Sequence, residues 1–197
     1  MKKIGIVIFI SGRGTNMEAI IRNAQTGVLN DLCTVKGVLS NKPDAYGLVV
    51  AKELDIPVFV VESKGKSREM FEAEVLEQLN DLDFEYIVLA GFNRILSPFL
   101  IKKFENRIVN IHPADTKAFQ GLHGYEWAFQ NKLKETKITV HFVDQGVDTG
   151  DIIKQKDIDL NGLNTLDEIV QKGLSVENSF YSEALASLFM EKLSGKK

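Results

Sequence analysis

The 197-residue chain has a single cysteine, only three histidines and no surplus of positive charge, since 24 Lys and Arg face 27 Asp and Glu for a net charge of −3. Each shortage excludes something. Cys33 has no second cysteine with which to form an intramolecular disulfide, and at the start of a predicted strand it reads as a small buried hydrophobe rather than a nucleophile. Without a basic field to hold a phosphate backbone, nucleic-acid binding is disfavoured. No apolar run approaches the roughly 20 residues that cross a bilayer. The N-terminal run Ile4 to Ile10 breaks into Ser11-Gly12, which suits a first strand rather than a signal peptide. His112, His123 and His141 form no His-x-x-x-His or Cys/His pair, so no metal is expected. These absences point to a soluble, cytoplasmic protein without nucleic-acid or membrane partners.

What is present is enough apolar residue, 44% of the chain, to bury one sizeable core, so residues 1–197 read as a single domain. Its first half, 1–105, alternates strand and helix: strands at Ile4–Ile10, Thr34–Leu39, Val58–Val61 and Tyr86–Ala90, and helices after Gly14, over Asp44–Leu54 and over Ser67–Leu79. That rhythm predicts an α/β fold with a doubly wound, mostly parallel sheet. The second half, 106–197, departs from it. Ile108–His112 reads as a strand, Pro113–Gly124 as irregular, and Thr139–Val143 with Ile152–Ile158 as a hairpin. A final helix runs from a capping box at Thr165–Glu168 to about Leu193, and Ser194–Lys197 form a frayed tail. No internal repeat or linker interrupts the chain.

Three features carry chemistry. Ser11-Gly12-Arg13-Gly14-Thr15-Asn16 joins the first strand to the first helix, where glycines admit a ligand close to the backbone and the helix start offers unpaired N–H groups to an anion. It lacks the third glycine of a dinucleotide fingerprint, Met17 standing there, and the Gly-Lys-Ser/Thr of a P-loop. The same segment also reads as a plain tight turn. Next, alternation along Ile108–His112 puts Asn110 and His112 on one face, and Pro113 ends the ladder at the carboxyl end of a strand, where open α/β sheets bind ligands. An amide and an imidazole there suit a developing oxyanion, although a polar strand end bonded to a loop has the same appearance. Third, Asp144, Asp148 and Asp151 crowd one glycine-flanked loop; a carboxylate there can orient the imidazole or take a proton, or simply cap a turn, and spacing does not choose among them.

These residues, together with Ser40-Asn41-Lys42-Pro43-Asp44-Ala45, Leu89 through Ser97, Asn110-Ile111-His112-Pro113, Gly121-Leu122-His123, His141-Phe142-Val143 and Val147-Asp148-Thr149-Gly150, fall in one order over nearly the whole chain. The ordered set resembles the glycinamide ribonucleotide formyltransferases. The resemblance implies a Rossmann-like formyltransferase fold with a C-terminal hairpin and helix. It also implies transfer of a formyl group from 10-formyltetrahydrofolate, as co-substrate and without a metal, to the amine of glycinamide ribonucleotide in purine biosynthesis. By the same resemblance Asn110 and His112 stabilise the oxyanion and Asp148 assists. Gly14, Thr15 and Asn16 bind phosphate, with Pro113 also at the substrate, and Glu177 binds the ribose hydroxyls. Arg94, Ile95, Leu96, Val143 and Asp144 form the pterin pocket, and Arg68 meets the folate tail. Glu177 has a second argument behind it, because helical spacing places this carboxylate inside an apolar stripe running from Leu166 to Leu188, where it is costly unless something polar meets it.

Two departures stand against the family pattern. Ala114-Asp115-Thr116-Lys117 replaces the usual Ser/Ala-Leu-Leu-Pro, and Asn93 replaces an apolar residue such as Met. They keep open a formyltransferase for another amine, such as a nucleotide-linked amino sugar, and a non-catalytic folate- or nucleotide-binding module. Methionyl-tRNA formylation and formyltetrahydrofolate hydrolysis are disfavoured, because those relatives carry additional domains. A monomer or homodimer is expected.

Overall fold

The computed structural model describes residues 2–195. Its elements run β1 (Ile4–Ile10), α1 (Thr15–Thr26), β2 (Cys33–Ser40), α2 (Gly47–Glu53), β3 (Val58–Val60), α3 (Arg68–Gln78), β4 (Tyr86–Leu89), α4 (Pro98–Lys103), β5 (Ile108–His112), α5 (Gly124–Gln130), β6 (Glu135–Phe142), β7 (Ile152–Asp159) and α6 (Leu166–Leu193). One seven-stranded sheet has the order β3-β2-β1-β4-β5-β6-β7. The first five strands of that order are parallel, and β6 and β7 close it as an antiparallel hairpin. Strand order reverses between β1 and β4, and this reversal opens the crevice in which open α/β sheets take ligands.

β1 shows why the sheet is central. Ile4, Ile6, Ile8 and Ile10 pack on one face against α1, α2 and α6, and Val7 and Phe9 pack on the other against α3 and α4. Both faces are covered, so the strand is apolar throughout rather than alternating. The long α6 begins with the expected capping box, in which Thr165 accepts from the Glu168 N–H and Glu168 accepts in return. No described helix is long and apolar enough to cross a membrane.

The structure corrects several boundaries. The predicted helix over Asp44–Leu54 starts only at Gly47, Asp44–Tyr46 forming turn instead. The strand expected from Thr139 begins at Glu135 and ends at Phe142, one residue short of Val143. The short helices α4 and α5 were not anticipated; they have six and seven residues, too few turns to show a helical period. Of the expected tail, Lys196 and Lys197 lie outside the described residues. Cys33 is buried as expected, and burial pushes its thiol up to about 12.

Candidate active site

The turn after β1 is held from below. Gly14 takes φ 77°, a left-handed conformation that glycine adopts without strain. Gly47 donates its N–H to the Gly12 carbonyl at 3.0 Å. A Cβ on Gly47 would stand 2.6 Å from Ile10 Cδ1 and 3.2 Å from the Gly12 oxygen, so α2 packs directly under the turn. Ser11 ties this turn to its neighbours: its hydroxyl donates to Asn41 Oδ1 at 2.6 Å and accepts from the Asn93 N–H at 2.9 Å.

Beyond the ends of β4 and β5 lies a cavity of about 520 Å³. One wall is the segment Gly91–Leu96, another is Asn110–Pro113, and Val143–Asp148 of the β6–β7 connection folds over them. Of the sequence-predicted residues, Arg94, Ile95, Leu96, Val143, Asp144, Asn110, His112, Pro113 and Asp148 all line it. Gly14, Thr15, Asn16, Glu177 and Arg68 do not. Arg68 is exposed at the start of α3, whereas the Arg94 guanidinium lies 4.8 Å from the centre of the Phe71 ring.

Asp148 is the centre of this site. It takes φ 53°, unusual for any residue other than glycine, and the strain is held by contacts of its own carboxylate. Oδ1 accepts from Asn110 Nδ2 at 3.3 Å and lies 3.3 Å from His141 Nε2; Oδ2 accepts from the Gly121 N–H at 2.9 Å and lies 3.3 Å from His112 Nδ1. The other two aspartates are settled by geometry. Asp144 accepts from the Gly146 N–H and the Thr149 hydroxyl and so caps its turn, while Asp151 is exposed and begins no such network. Burial pushes the Asp148 carboxyl up, but its bonds to His141 and Gly121 and the nearby imidazoles outweigh burial and leave it below the usual carboxylate range.

His112 is 3% exposed. Its Nε2 lies 3.0 Å from the Phe119 carbonyl oxygen, and its ring stacks on Phe119, which stacks in turn on Trp127. Burial pulls His112 below the usual imidazole range, against the opposing pull of Asp148 and the Phe119 carbonyl. Both ring nitrogens face oxygen acceptors, so a neutral ring donates to one and protonation gains the second. The site therefore contains a carboxylate, an imidazole next to it, and an amide donor on the same strand face.

Sequence reading missed His141 as a member of this site. It sits opposite Asn110 in the β5–β6 register, and its signal is available: Thr139, His141 and Val143 share a face of an alternating strand. Phe119 joins through its carbonyl and its ring, and Gly121, of the Gly121-Leu122-His123 segment, through its N–H; a backbone contact of this kind has no spacing signal. The departure Ala114–Lys117 lies off the cavity. Asp115 instead accepts from the Lys117 N–H and from Gln155 Nε2, with Lys137 Nζ at 3.9 Å, and Thr139 donates to the Ala114 carbonyl. The segment is thus fastened to the β6–β7 hairpin by polar contacts where the family pattern is apolar. Among the described residues no cluster of three or more His, Cys, Asp or Glu is arranged to hold a metal ion.

On the sheet's other face Glu177 is met as its burial requires. Asn16 Nδ2 donates to Oε2 at 2.7 Å and the Tyr125 hydroxyl donates to Oε1. Burial pushes Glu177 above the usual carboxylate range, and these two donors hold it down.

Comparison with known proteins agrees with the geometry. Residues 4–185 match the formyl transferase family model. The phosphoribosylglycinamide formyltransferase of Bacillus subtilis is 35% identical over 95% of both chains. The trifunctional purine biosynthetic protein adenosine-3 of Drosophila melanogaster is 37% identical over 93% of this chain, which spans 14% of that protein's length. The crystal structure of phosphoribosylglycinamide formyltransferase from Bacillus halodurans superposes with a TM-score of 0.88 at 39% identity, covering 93% of this chain and 94% of the other. With the family match, a relative matched over 95% of both chains and a shared fold in agreement, the chain belongs to the phosphoribosylglycinamide formyltransferase family.

Proposed function

We propose that the protein passes a formyl group from 10-formyltetrahydrofolate to the amine of glycinamide ribonucleotide, with Asn110, His112 and Asp148 as its catalytic residues. The observation that carries this reading is the convergence of those three side chains at one end of a cavity whose size suits a pterin-sized ligand. Relatives named for this activity support it.

In the proposed reaction the substrate amine attacks the formyl carbon, a new C–N bond forms and the formyl oxygen becomes an oxyanion. Asn110 Nδ2 and the His112 ring donate to that oxygen, where their hydrogen bonds strengthen as charge develops. Collapse breaks the bond to the folate N10. The attacking nitrogen loses one proton and N10 gains one; Asp148, ionised and facing both donors, takes up and returns it. His112 donates to the oxyanion through Nε2 once that nitrogen leaves the Phe119 carbonyl, with Nδ1 facing Asp148. The turn Gly14–Asn16 receives the phosphate, and Arg94, Ile95, Leu96, Val143 and Asp144 hold the pterin. Acceptance of another amine gains no support from Ala114–Lys117, which faces the hairpin rather than the cavity.

Incubating the purified chain with both substrates and following tetrahydrofolate release together with formylated product tests the assignment. Formylation of glycinamide ribonucleotide is expected. Binding of both substrates without turnover, or turnover only with another amine from a panel, overturns it.

A further inference from the structure

The polar cluster around Glu177 is one donor short. Glu177 is 6% exposed, and when ionised it only accepts, with one donor supplied to each oxygen, by Asn16 and by Tyr125. Asn16 is itself 8% exposed, and its Oδ1 has no hydrogen-bond partner among the described residues. Buried polar atoms are nearly always paired, and an exception asks for a missing group. That group has to donate to Asn16 Oδ1, next to the turn proposed to hold phosphate.

Tyr125 and Asn16 reach Glu177 from helices of different length. The Tyr125 ring occupies a niche over Gly173, one turn before Glu177 on α6. A Cβ at Gly173 would stand 2.2 Å from the ring and its hydroxyl, so only glycine leaves the niche open. The tyrosine is carried by α5, a seven-residue helix preceded by His123 at φ 72°, whereas Asn16 is fixed within the first turn of the longer α1. Tyr125 also follows closely on Gly121–His123, which line the cavity.

We propose that the Tyr125 hydroxyl occupies, in the unliganded protein, the place of a ligand hydroxyl, and that a vicinal diol of a sugar phosphate displaces it. One hydroxyl then donates to Glu177 Oε1 and the other to Asn16 Oδ1, so every acceptor is satisfied. Tyr125 is on this account a specificity-determining residue for the sugar, competing with it for Glu177. The inference rests on the proposed placement of the ribonucleotide and adds the residue that gates it.

Calorimetric titration of the full chain with ribose 5-phosphate, 2-deoxyribose 5-phosphate and inorganic phosphate tests the proposal in the wild type, Tyr125→Phe and Gly173→Ala. The first variant removes the competing hydroxyl and keeps the ring. The second pushes the ring from its niche while favouring the helix, so either one carries the test if the other fails to fold. Both are expected to bind ribose 5-phosphate about fivefold more tightly, the effect of one hydrogen bond no longer displaced, and to bind inorganic phosphate as the wild type does. All forms are expected to prefer ribose 5-phosphate to its 2-deoxy counterpart. Unchanged or weaker ribose 5-phosphate binding in the folded variants, equal tightening toward inorganic phosphate, no preference for the diol, or no sugar-phosphate binding by any form overturns the proposal. Sugar-phosphate binding with this pattern but without formyl transfer instead leaves it standing and removes the assigned reaction.

Discussion

Asp148 holds together groups from three parts of the chain: Asn110 and His112 on β5, His141 on β6 and the Gly121 N–H from the irregular segment. An Asp148→Asn substitution keeps an acceptor for one neighbour but removes the negative charge facing His112 and with it the proposed carrier of the proton. It is expected to lower kcat by about 10²- to 10⁴-fold, with KM for both substrates little changed; single-turnover kinetics on folded variant checks this. A loss confined to KM instead assigns Asp148 to binding.

Among the elements, α3 is the support of the cavity wall. Glu72, 1% exposed, accepts from both the N–H and the hydroxyl of Ser97, the residue that caps α4, while the preceding Phe71 stacks on Phe92 and lies under Arg94. A Glu72→Ala substitution leaves the buried Ser97 N–H and hydroxyl without this acceptor and is expected to destabilise the fold by about 2–3 kcal/mol. Because Phe92–Leu96 lie between these anchors, KM for the folate should rise more than KM for the amine; urea melts and steady-state kinetics read the two effects separately. The capping box of α6 serves as contrast, since it lies far from the cavity lining in sequence and in contacts. Thr165→Ala should cost about 1 kcal/mol in a urea melt and leave both KM values unchanged.

At the scale of the whole molecule, the buried site links stability to pH. His112 has a folded-state pKa below its ordinary value of 6.5, so between the two values the unfolded chain binds a proton that the folded protein does not. Its contribution to stability is present in full above 6.5 and is lost as pH falls through that value toward the lowered one. Wild-type protein is therefore expected to lose more stability than His112→Gln when pH is lowered from about 7.5 to about 5.5, as measured by denaturant midpoints of both proteins at each pH. Equal losses refute a depressed His112. Asp148 acts in the same direction at more acid pH, since its lowered pKa gives stability that disappears as its carboxylate is protonated.

Local rules made much of this protein readable from its residues. The all-apolar run Ile4–Ile10 required a strand covered on both faces, alternation along Ile108–His112 put Asn110 and His112 on one side, and Thr165 with Glu168 marked the start of α6. The stripe position of Glu177 announced a buried carboxylate with a polar partner. Long or strictly alternating elements carry their period within themselves, and these did. The short α4 and α5 carried too few turns, and the choice of Asp148 over Asp144 and Asp151 depended on which carboxylate the folded-back loop brings to β5. Alternation put His141 on a face of β6, but only the antiparallel register set it opposite Asn110, and Phe119 and Gly121 reached the site through backbone atoms that spacing does not announce. Tyr125 met Glu177 because Gly173 left room for its ring. Such pairings join residues distant in sequence, and only the packed chain brings their atoms within hydrogen-bonding distance.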